Sequence, residues 1–239
     1  MTEMLFRQDA YAAECVGTVI GHTDEGGLVL DRTVFYPTGG GQPGDSGRIL
    51  WSGGAMIVAT TVKAAESQIA LVPAEPQPLP PLGTKVQQIL DWERRHRLMR
   101  MHTALHLLSV VIPLPVSGGA VGEGRSRLDF DMPEAPQDKE TLENQLNQLV
   151  DRDLPVTEDW ITDAELVANP NLVKTMSVMP PRGTGHVRLI RVGHDRDQVD
   201  LQPCGGTHVA RTAEIGGLRL GKVEKKGRQN RRVYLHFDN

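Results

Sequence analysis

A proline-rich segment, residues 73–83 (PAEPQPLPPLG), constrains the fold of this chain more than any other feature. Five of its eleven residues are proline. Proline has a fixed φ and no backbone amide hydrogen, so this segment cannot form the interior of a helix or a central strand. We therefore predict a connector here, with one domain over residues 1–84 and a second domain over residues 85–239.

Short apolar or β-branched runs separated by glycine precede the connector. They span residues 15–20, 28–30, 33–36, 47–51, 56–62 and 68–72. This spacing predicts a glycine-rich, barrel-like domain of mostly antiparallel strands.

The region after the connector begins with the clearest helical pattern in the chain. Its apolar residues recur at three- and four-residue intervals, and they are Leu98, Met101, Leu105, Leu108 and Ile112. Asp91 is suited to cap the start of this helix, and Pro113 ends it. Further helices are predicted over 139–151 and 162–168, and strands over 186–192, 198–202, 216–226 and 231–237. Residues 85–239 are thus predicted to be an α+β domain, with helices on an antiparallel or mixed sheet.

The bulk composition is that of an ordinary globular protein, with 39% hydrophobic and 23% charged residues. The two cysteines, Cys15 and Cys204, lie far apart and do not suggest a disulfide framework, which favours a reducing compartment. No secretory signal is visible at the N-terminus, and no apolar run approaches the roughly 18 residues that span a bilayer. A cytoplasmic location without membrane partners is therefore expected.

His102 and His106 form an HxxxH pair on the predicted helix. A four-residue separation places both imidazoles on one face, one turn apart, where two nitrogens can reach the same ion. The pair alone is weak, because histidines at this spacing also occur on half-buried helix faces.

A second pair, Cys204 and His208 in PCGGTH, strengthens the metal interpretation. Two glycines allow the backbone to turn sharply, so both side chains can converge on one point. Thiolate and imidazole ligands together favour zinc, and we predict one Zn²⁺ per chain. Asp200 and Gln202 lie just upstream; they either orient a ligating imidazole or are polar residues on the exposed face of a strand.

A glycine-rich motif, DRTVFYPTGGGQPGDSG, occupies residues 31–47. It lacks the GKS or GKT of a phosphate-binding loop, and its β-rich surroundings do not fit a dinucleotide fingerprint. It is either a tight turn in the barrel or a loop close to the substrate. The residues predicted to contact substrate are Thr33, Thr38, Gly39, Gly40, Gly41 and Gln42.

Charge is segregated, although the net charge is only −4. Residues 219–232 contain seven Lys or Arg against one acid, and residues 129–165 contain twelve acids against two bases. Such a basic stretch suits local contact with phosphate, and it is equally compatible with a solvated strand and turn.

Three segments together resemble one family. Residues 97–108 (RLMRMHTALHLL), 203–209 (PCGGTHV) and the 33–47 motif are similar to alanyl-tRNA editing proteins, the free-standing homologues of the alanyl-tRNA synthetase editing domain often called AlaX. The glycine-rich domain ahead of the histidine helix resembles the medium-sized members.

The resemblance implies hydrolysis of the ester that joins a wrong amino acid to the 3′ end of alanine tRNA. The wrong amino acid would be serine, with glycine as a second substrate. His102, His106, Cys204 and His208 match the zinc positions, and Thr33 matches a residue that contacts the serine hydroxyl, although Thr38 is an alternative. Residues 117–127 lack the glutamine that synthetase editing domains carry there, so no role is transferred to this segment.

With a tRNA substrate, the basic side chains become candidates for phosphate contact. They are Arg94, Arg97, Arg100, Lys222, Lys225, Lys226, Arg228, Arg231 and Arg232. The sequence assigns no general base. It also leaves open whether three or four of the protein ligands hold the zinc, because four would close its tetrahedron. Two other functions stay open, a zinc hydrolase of small esters and a zinc-stabilised RNA-binding module.

Overall fold

The structure, a computed structural model, describes residues 1–174 and 185–238, with Glu66 described by its backbone alone. The chain divides into two compact units, Met1–Arg97 and Leu98–Asn239. The described residues combine antiparallel sheets with a small number of helices, which is an α+β architecture.

Unit 1 is built around a closed antiparallel barrel. Its strands are β1 (Glu3–Met4), β2 (Glu14–His22), β3 (Leu28–Leu30), β4 (Arg32–Thr33), β5 (Gly47–Trp51), β6 (Gly54–Lys63), β7 (Ile69–Pro73) and β8 (Lys85–Leu90). Six of them close the barrel in the order β2-β3-β7-β6-β5-β8. Apolar side chains of its strands, such as Leu30, Ile49, Val58 and Leu71, form its core, in keeping with the two-residue alternation of strands.

The predicted domain boundary at residue 84 is wrong. Strand β8 follows the proline-rich segment and pairs with both β2 and β5, so the segment is a loop between two strands of one barrel. The two units meet in sequence at Arg97 instead. The prolines do exclude a helix interior and a central strand, but a loop within one sheet satisfies that restriction as well as a linker between domains does.

Helix α1 (Trp92–Val111) carries the first histidine pair. The Asp91 carboxylate accepts a hydrogen bond from the Arg94 amide at 3.3 Å, as a helix N-cap does. Leu98 and Leu108 of the predicted stripe are fully buried, but Met99 and Leu107 are too, so the helix is covered on more than one face.

The described residues of unit 2 form two antiparallel sheets. Strands β9 (Val116–Ala120), β10 (Arg125–Asp131), β14 (Leu218–Lys225) and β15 (Asn230–Phe237) form one sheet, ordered β14-β15-β10-β9, and strands β11 (Val156–Thr162), β12 (His186–Val192) and β13 (Asp200–Pro203) form the other.

Two shorter α-helices lie in the described part of unit 2, α2 (Lys139–Asp151) and α3 (Asp163–Ala168). Asp138 caps α2 by accepting from the Thr141 amide, and Thr162 with Glu165 forms a capping box on α3. None of the helices in residues 1–174 and 185–238 is both long enough and apolar enough to cross a membrane.

Candidate metal centre

The four predicted metal ligands converge in unit 2. The donor atoms of His102, His106, Cys204 and His208 all lie within 4.8 Å of one another. The Cys204 Sγ is 3.5 Å from the His102 Nε2 and 3.3 Å from the His208 Nε2. The histidines are largely buried, at 5–6% exposure. This cluster can hold one metal ion.

The loop that carries Cys204 is held by its own backbone and by a buried arginine. The Cys204 amide donates to the Arg188 carbonyl at 3.2 Å, and the Gly206 amide approaches the Cys204 Sγ at 3.5 Å. The Arg188 guanidinium donates to the carbonyls of Cys204 and Gly206 at 3.0 and 2.8 Å. Gly205, between them, is exposed, and a Cβ built on it would meet nothing within 4 Å. The outer side of the loop is therefore open.

Hydrogen bonds on the outer side of the rings aim two imidazoles inward. The Nδ1 of His106 lies 3.0 Å from the Asp200 Oδ2, and the Nδ1 of His208 lies 3.1 Å from the Thr103 Oγ1. Each contact occupies Nδ1 and leaves Nε2 facing the cluster, which is how histidine ligands are usually oriented in metal sites.

Asp200 is itself positioned by two further side chains. It is 2% exposed, accepts from the Gln202 Nε2 at 2.7 Å, and pairs with the Lys174 Nζ at 2.5 Å. Burial would raise the pKa of Asp200, but the hydrogen bond and charge of His106 and the charge of Lys174 lower it. The carboxylate is thus held ionised beside His106.

The protonation states of the cluster suit a cation. Burial would raise the pKa of Cys204, but its interactions with His102 and His208 hold this pKa well below the usual value, which favours the thiolate. Burial lowers the pKa of His208 to about 3, so this imidazole is neutral. Burial would lower the pKa of His106 as well, but Asp200 and Cys204 raise it to about 9. A metal ion at the centre would replace the proton that His106 otherwise holds.

Some residues of this centre were missed by sequence reasoning. Thr103 and Lys174 leave no signal, because their contacts join positions far apart in the chain. Arg188 does leave a signal in the sequence, because it lies within the apolar run HVRLIRV. In the structure its exposed fraction is 8%. A charged residue in such a run indicates a buried hydrogen-bonding role.

The glycine-rich motif forms a tight turn in unit 1. Gly39 and Gln42 exchange backbone hydrogen bonds of 3.0 Å each way. Gly40 and Gly41 between them have φ of 57° and 81°. Positive φ at both central positions is the geometry of a two-residue hairpin turn and explains both glycines. Gln42 is fully buried at the end of this turn.

The two candidate threonines of this motif differ in exposure. Thr33 is 1% exposed; its hydroxyl donates to the Gln88 Oε1 at 2.7 Å and accepts from the Phe35 amide at 3.1 Å. Thr38 is exposed, and its hydroxyl accepts from the Gly44 amide at 2.8 Å.

The basic residues predicted to contact tRNA fall into two groups. Arg94, Arg100, Arg231 and Arg232 are buried or half-buried, and their guanidinium groups donate to acceptors within the fold. The exposed members are Arg97, Lys222, Lys225, Lys226 and Arg228. Contact between any of them and tRNA stays a prediction.

The fold and the donor cluster define an α+β protein with a site that can hold a metal ion, and comparisons relate it to the tRNA synthetases. Residues 187–234 match the family described as threonyl and alanyl tRNA synthetase second additional domain. Residues 9–94 match the family of class II (A) tRNA synthetases.

Relatives that match the chain over nearly its full length identify its family. The chain is 33% identical to the alanyl-tRNA editing protein AlaX-M of Methanosarcina acetivorans and 32% identical to that of Saccharolobus solfataricus, with 98% of each chain covered in both cases. It is 36% identical to the alanine–tRNA ligase of Pyrobaculum arsenaticum, over 94% of this chain and 25% of the ligase. The chain belongs to the AlaX-M family of alanyl-tRNA editing proteins, and the resemblance found in the sequence is confirmed.

Proposed function

We propose that this protein hydrolyses the aminoacyl ester of mischarged alanine tRNA, releasing serine and, as a second product, glycine. The proposal rests on one observation, the convergence of His102, His106, Cys204 and His208 within 4.8 Å in a chain whose relatives are named alanyl-tRNA editing proteins. The chain would act on tRNA already released by the ligase, as a separate hydrolase.

Zn²⁺ is the ion that these donors fit best. A thiolate with imidazole nitrogens favours a borderline-soft cation over Mg²⁺ or Ca²⁺, which prefer oxygen ligands. The low pKa of Cys204 supplies the thiolate without a strong base, and the neutral His208 has a lone pair available. When bound, zinc supplies Lewis acidity and a fixed positive charge at the ester.

The surrounding residues of the chain position these donors. Asp200, supported by Gln202 and Lys174, orients His106, and Arg188 holds the carbonyls on either side of Gly205. Because Gly205 is exposed with open space beside it, we place the approach of the ester on this side of the loop. An aminoacyl ester is already activated, so orientation and charge stabilisation are the main requirements.

Preference for serine requires a polar group that meets the serine hydroxyl and is left unpaired by alanine. We assign this role to the glycine-rich motif, with Thr33 and Thr38 as the two candidate hydroxyls. The variants Thr33→Val and Thr38→Val distinguish them through the ratio of Ser-tRNA to Ala-tRNA hydrolysis. The residue that contacts serine is the one whose substitution lowers this ratio.

The decisive experiment incubates the zinc-loaded protein with Ser-, Gly- and Ala-charged alanine tRNA. We expect rapid release of serine, slower release of glycine, and Ala-tRNA left intact. Cys204→Ala should abolish release, whereas Cys15→Ala, which removes the other cysteine, should not. Equal hydrolysis of all three tRNAs, or of none, would overturn the proposal.

Two additional arms separate the rival functions. Hydrolysis of free serine esters as fast as Ser-tRNA would indicate a hydrolase of small esters. Tight tRNA binding with no amino acid released would indicate a zinc-stabilised RNA-binding module.

A further inference from the structure

A pocket of about 290 Å³ lies in unit 2 on the sheet formed by β9, β10, β14 and β15. Three arginines line it, Arg125, Arg127 and Arg232, together with the ring of Tyr234. Of these three, only Arg232 belongs to the basic stretch at residues 219–232. Arg125 and Arg127 lie on β10, which pairs with the edge of β15 opposite β14.

The strand register explains why these side chains share one face. Arg127 pairs with Tyr234, and Arg125 pairs with His236. The residues that alternate with them along both strands are buried, and they are Ser126, Leu128, Phe130, Val233 and Leu235. Because successive side chains point to opposite faces, one face of the sheet forms core and the other presents the arginines outward.

Positive charge exceeds negative charge on this outer face. The cations are Arg125, Arg127, Arg219, Lys222, Lys226 and Arg232, against the carboxylates of Asp129, Asp131 and Glu224. Asp129 is shared by Arg127 and Arg232, at 2.6 and 2.8 Å. Glu224 is shared by Lys222 and Lys226, at 2.8 and 3.1 Å. These two carboxylates therefore neutralise only two of the four positive charges.

Arg125 and Arg219 add charge that the described residues do not offset. Both are exposed, and neither forms an ion pair within residues 1–174 and 185–238. The Arg125 guanidinium lies 5.1 Å from the centre of the Tyr234 ring. Burial lowers the pKa of His236, and the charges of Arg219 and Arg125 lower it further, so this face disfavours an added proton.

The exposed guanidinium group of Arg125 and the half-buried ones of Arg127 and Arg232, set around an aromatic ring, match the chemistry of an RNA strand. Arginine donates in a fork that fits phosphate oxygens, and aromatic rings and guanidinium planes stack on exposed bases. Building on the proposed function, we infer that this face of the sheet binds the phosphate backbone of the tRNA substrate, with the Arg125–Arg127–Arg232 pocket around Tyr234 at its centre.

Contacts within unit 2 join the strand that carries this face to the helix that carries metal ligands. The Arg100 guanidinium stacks 4.1 Å above the ring of Phe237, which ends β15, and donates to the Ile215 carbonyl at 2.9 Å. Arg100 stands two residues before His102 on α1. A strand that carries pocket residues is thus packed against the helix that carries metal ligands, so RNA bound on the sheet is held at a fixed position relative to the centre.

The test measures binding of uncharged alanine tRNA, which requires no catalysis. The variant Arg125→Glu/Arg219→Glu reverses two exposed charges on the face, and Arg48→Glu/Arg196→Glu reverses two exposed charges elsewhere as a matched control. At about 0.1 M salt we expect the first pair to raise Kd at least tenfold, and to reduce the slope of log K against log salt by about two. The control should change Kd by less than about twofold. The substitutions Arg125→Lys/Arg219→Lys, which keep the charges, should retain the wild-type slope.

Unchanged Kd and slope in Arg125→Glu/Arg219→Glu would overturn the inference, as would an equal loss in the control. Melting temperature and zinc content confirm that each variant is folded and loaded. Failure of the proposed function would look different, because wild type would then release amino acid from none of the three charged tRNAs, or equally from all of them, whatever the variants bind.

Discussion

A buried polar cluster in unit 1 and the buried donor cluster in unit 2 differ in how their donors and acceptors are paired. In unit 1, Asp45 and Arg95 are 1% and 0% exposed. Each guanidinium nitrogen of Arg95 has an acceptor, among them the Ala10 and Val34 carbonyls at 3.0 and 2.7 Å. The Asp45 carboxylate accepts from Arg95 and from the Tyr36 amide at 2.5 Å. Donors and acceptors balance.

In unit 2, hydrogen-bond acceptors outnumber donors at the centre of the cluster. The Nδ1 atoms of His106 and His208 are engaged, while the Nε2 atoms and the Cys204 Sγ face one another. Converging lone pairs repel unless protons or a cation lie between them. A buried cluster whose donors and acceptors are paired stabilises a fold, whereas a buried cluster with an excess of acceptors is suited to bind a ligand.

Removing the metal should produce the largest effect, and only in unit 2. Chelation should reduce zinc from about one ion per chain to below about 0.1, and deacylation by at least about 100-fold, because no protein donor can replace the cation. Atomic absorption and a serine-release assay measure both quantities. Zinc added back should restore activity; full activity in a demonstrably zinc-free sample would contradict the expectation.

Breaking the balanced cluster should cost stability and leave the metal in place. Asp45→Ala leaves the buried Arg95 charge uncompensated, and we expect the free energy of unfolding to fall by about 3–5 kcal/mol. Urea unfolding measures this loss. The folded fraction should still hold one zinc per chain, so a loss of zinc without a loss of stability would reverse the assignment of the two clusters.

Removing the charge that orients one ligand should lower the metal affinity by an intermediate amount. Asp200→Asn keeps the size of the side chain but removes the charge behind His106, and such changes typically cost about 10- to 100-fold in metal affinity. Competition with a chromogenic chelator measures the affinity. Asp159→Asn, the same change on another strand of the same sheet at a carboxylate paired with Arg191, is the control, and equal losses in both would refute a specific role for Asp200.

The two threonines of the glycine-rich motif should differ in stability. Thr33→Val leaves the buried Gln88 oxygen and Phe35 amide without their partner, so we expect a loss of about 1–3 kcal/mol. Thr38→Val, at an exposed position, should cost less, about 0.5 kcal/mol. Thermal unfolding measures both, and the reverse order would show that the buried hydroxyl contributes nothing to the barrel.

A partly exposed ion cluster should give a small effect on stability that depends on pH. Burial would raise the pKa of Asp129, but Arg232 and Arg127 lower it below its usual value. A lowered folded-state pKa means that the carboxylate stabilises the fold above about pH 4, and that this contribution disappears as pH falls through the folded pKa. The stability difference between wild type and Asp129→Asn, about 1 kcal/mol near pH 7, should therefore shrink below about pH 4. A difference that grows on acidification would contradict this sign.

The convergence of His102, His106, Cys204 and His208 was predictable because the spacing that brings each pair together is local in sequence. A four-residue separation on a helix and a CGGTH loop each bring two donors together, whatever the rest of the fold does. Lys174 and Thr103 were not predictable, since they reach the centre only through the packing of distant strands.

The fold was predictable where side-chain periodicity decides it. The helix ending before Pro113 and the alternating strands after residue 185 follow from spacing alone. The domain boundary did not follow from spacing. Prolines exclude certain structures for the segment that contains them, but they do not determine with which strands the flanking residues pair.

The closure of the barrel by β8 limits how this protein can be dissected. A fragment that ends at residue 84 would lose the strand paired with both β2 and β5. Two long edges would then carry unpaired amides and carbonyls, which are templates for intermolecular pairing. Grafting the motif-bearing half into another protein therefore requires a cut beyond Leu90; a shorter piece would aggregate, even though it contains every residue of the glycine-rich turn.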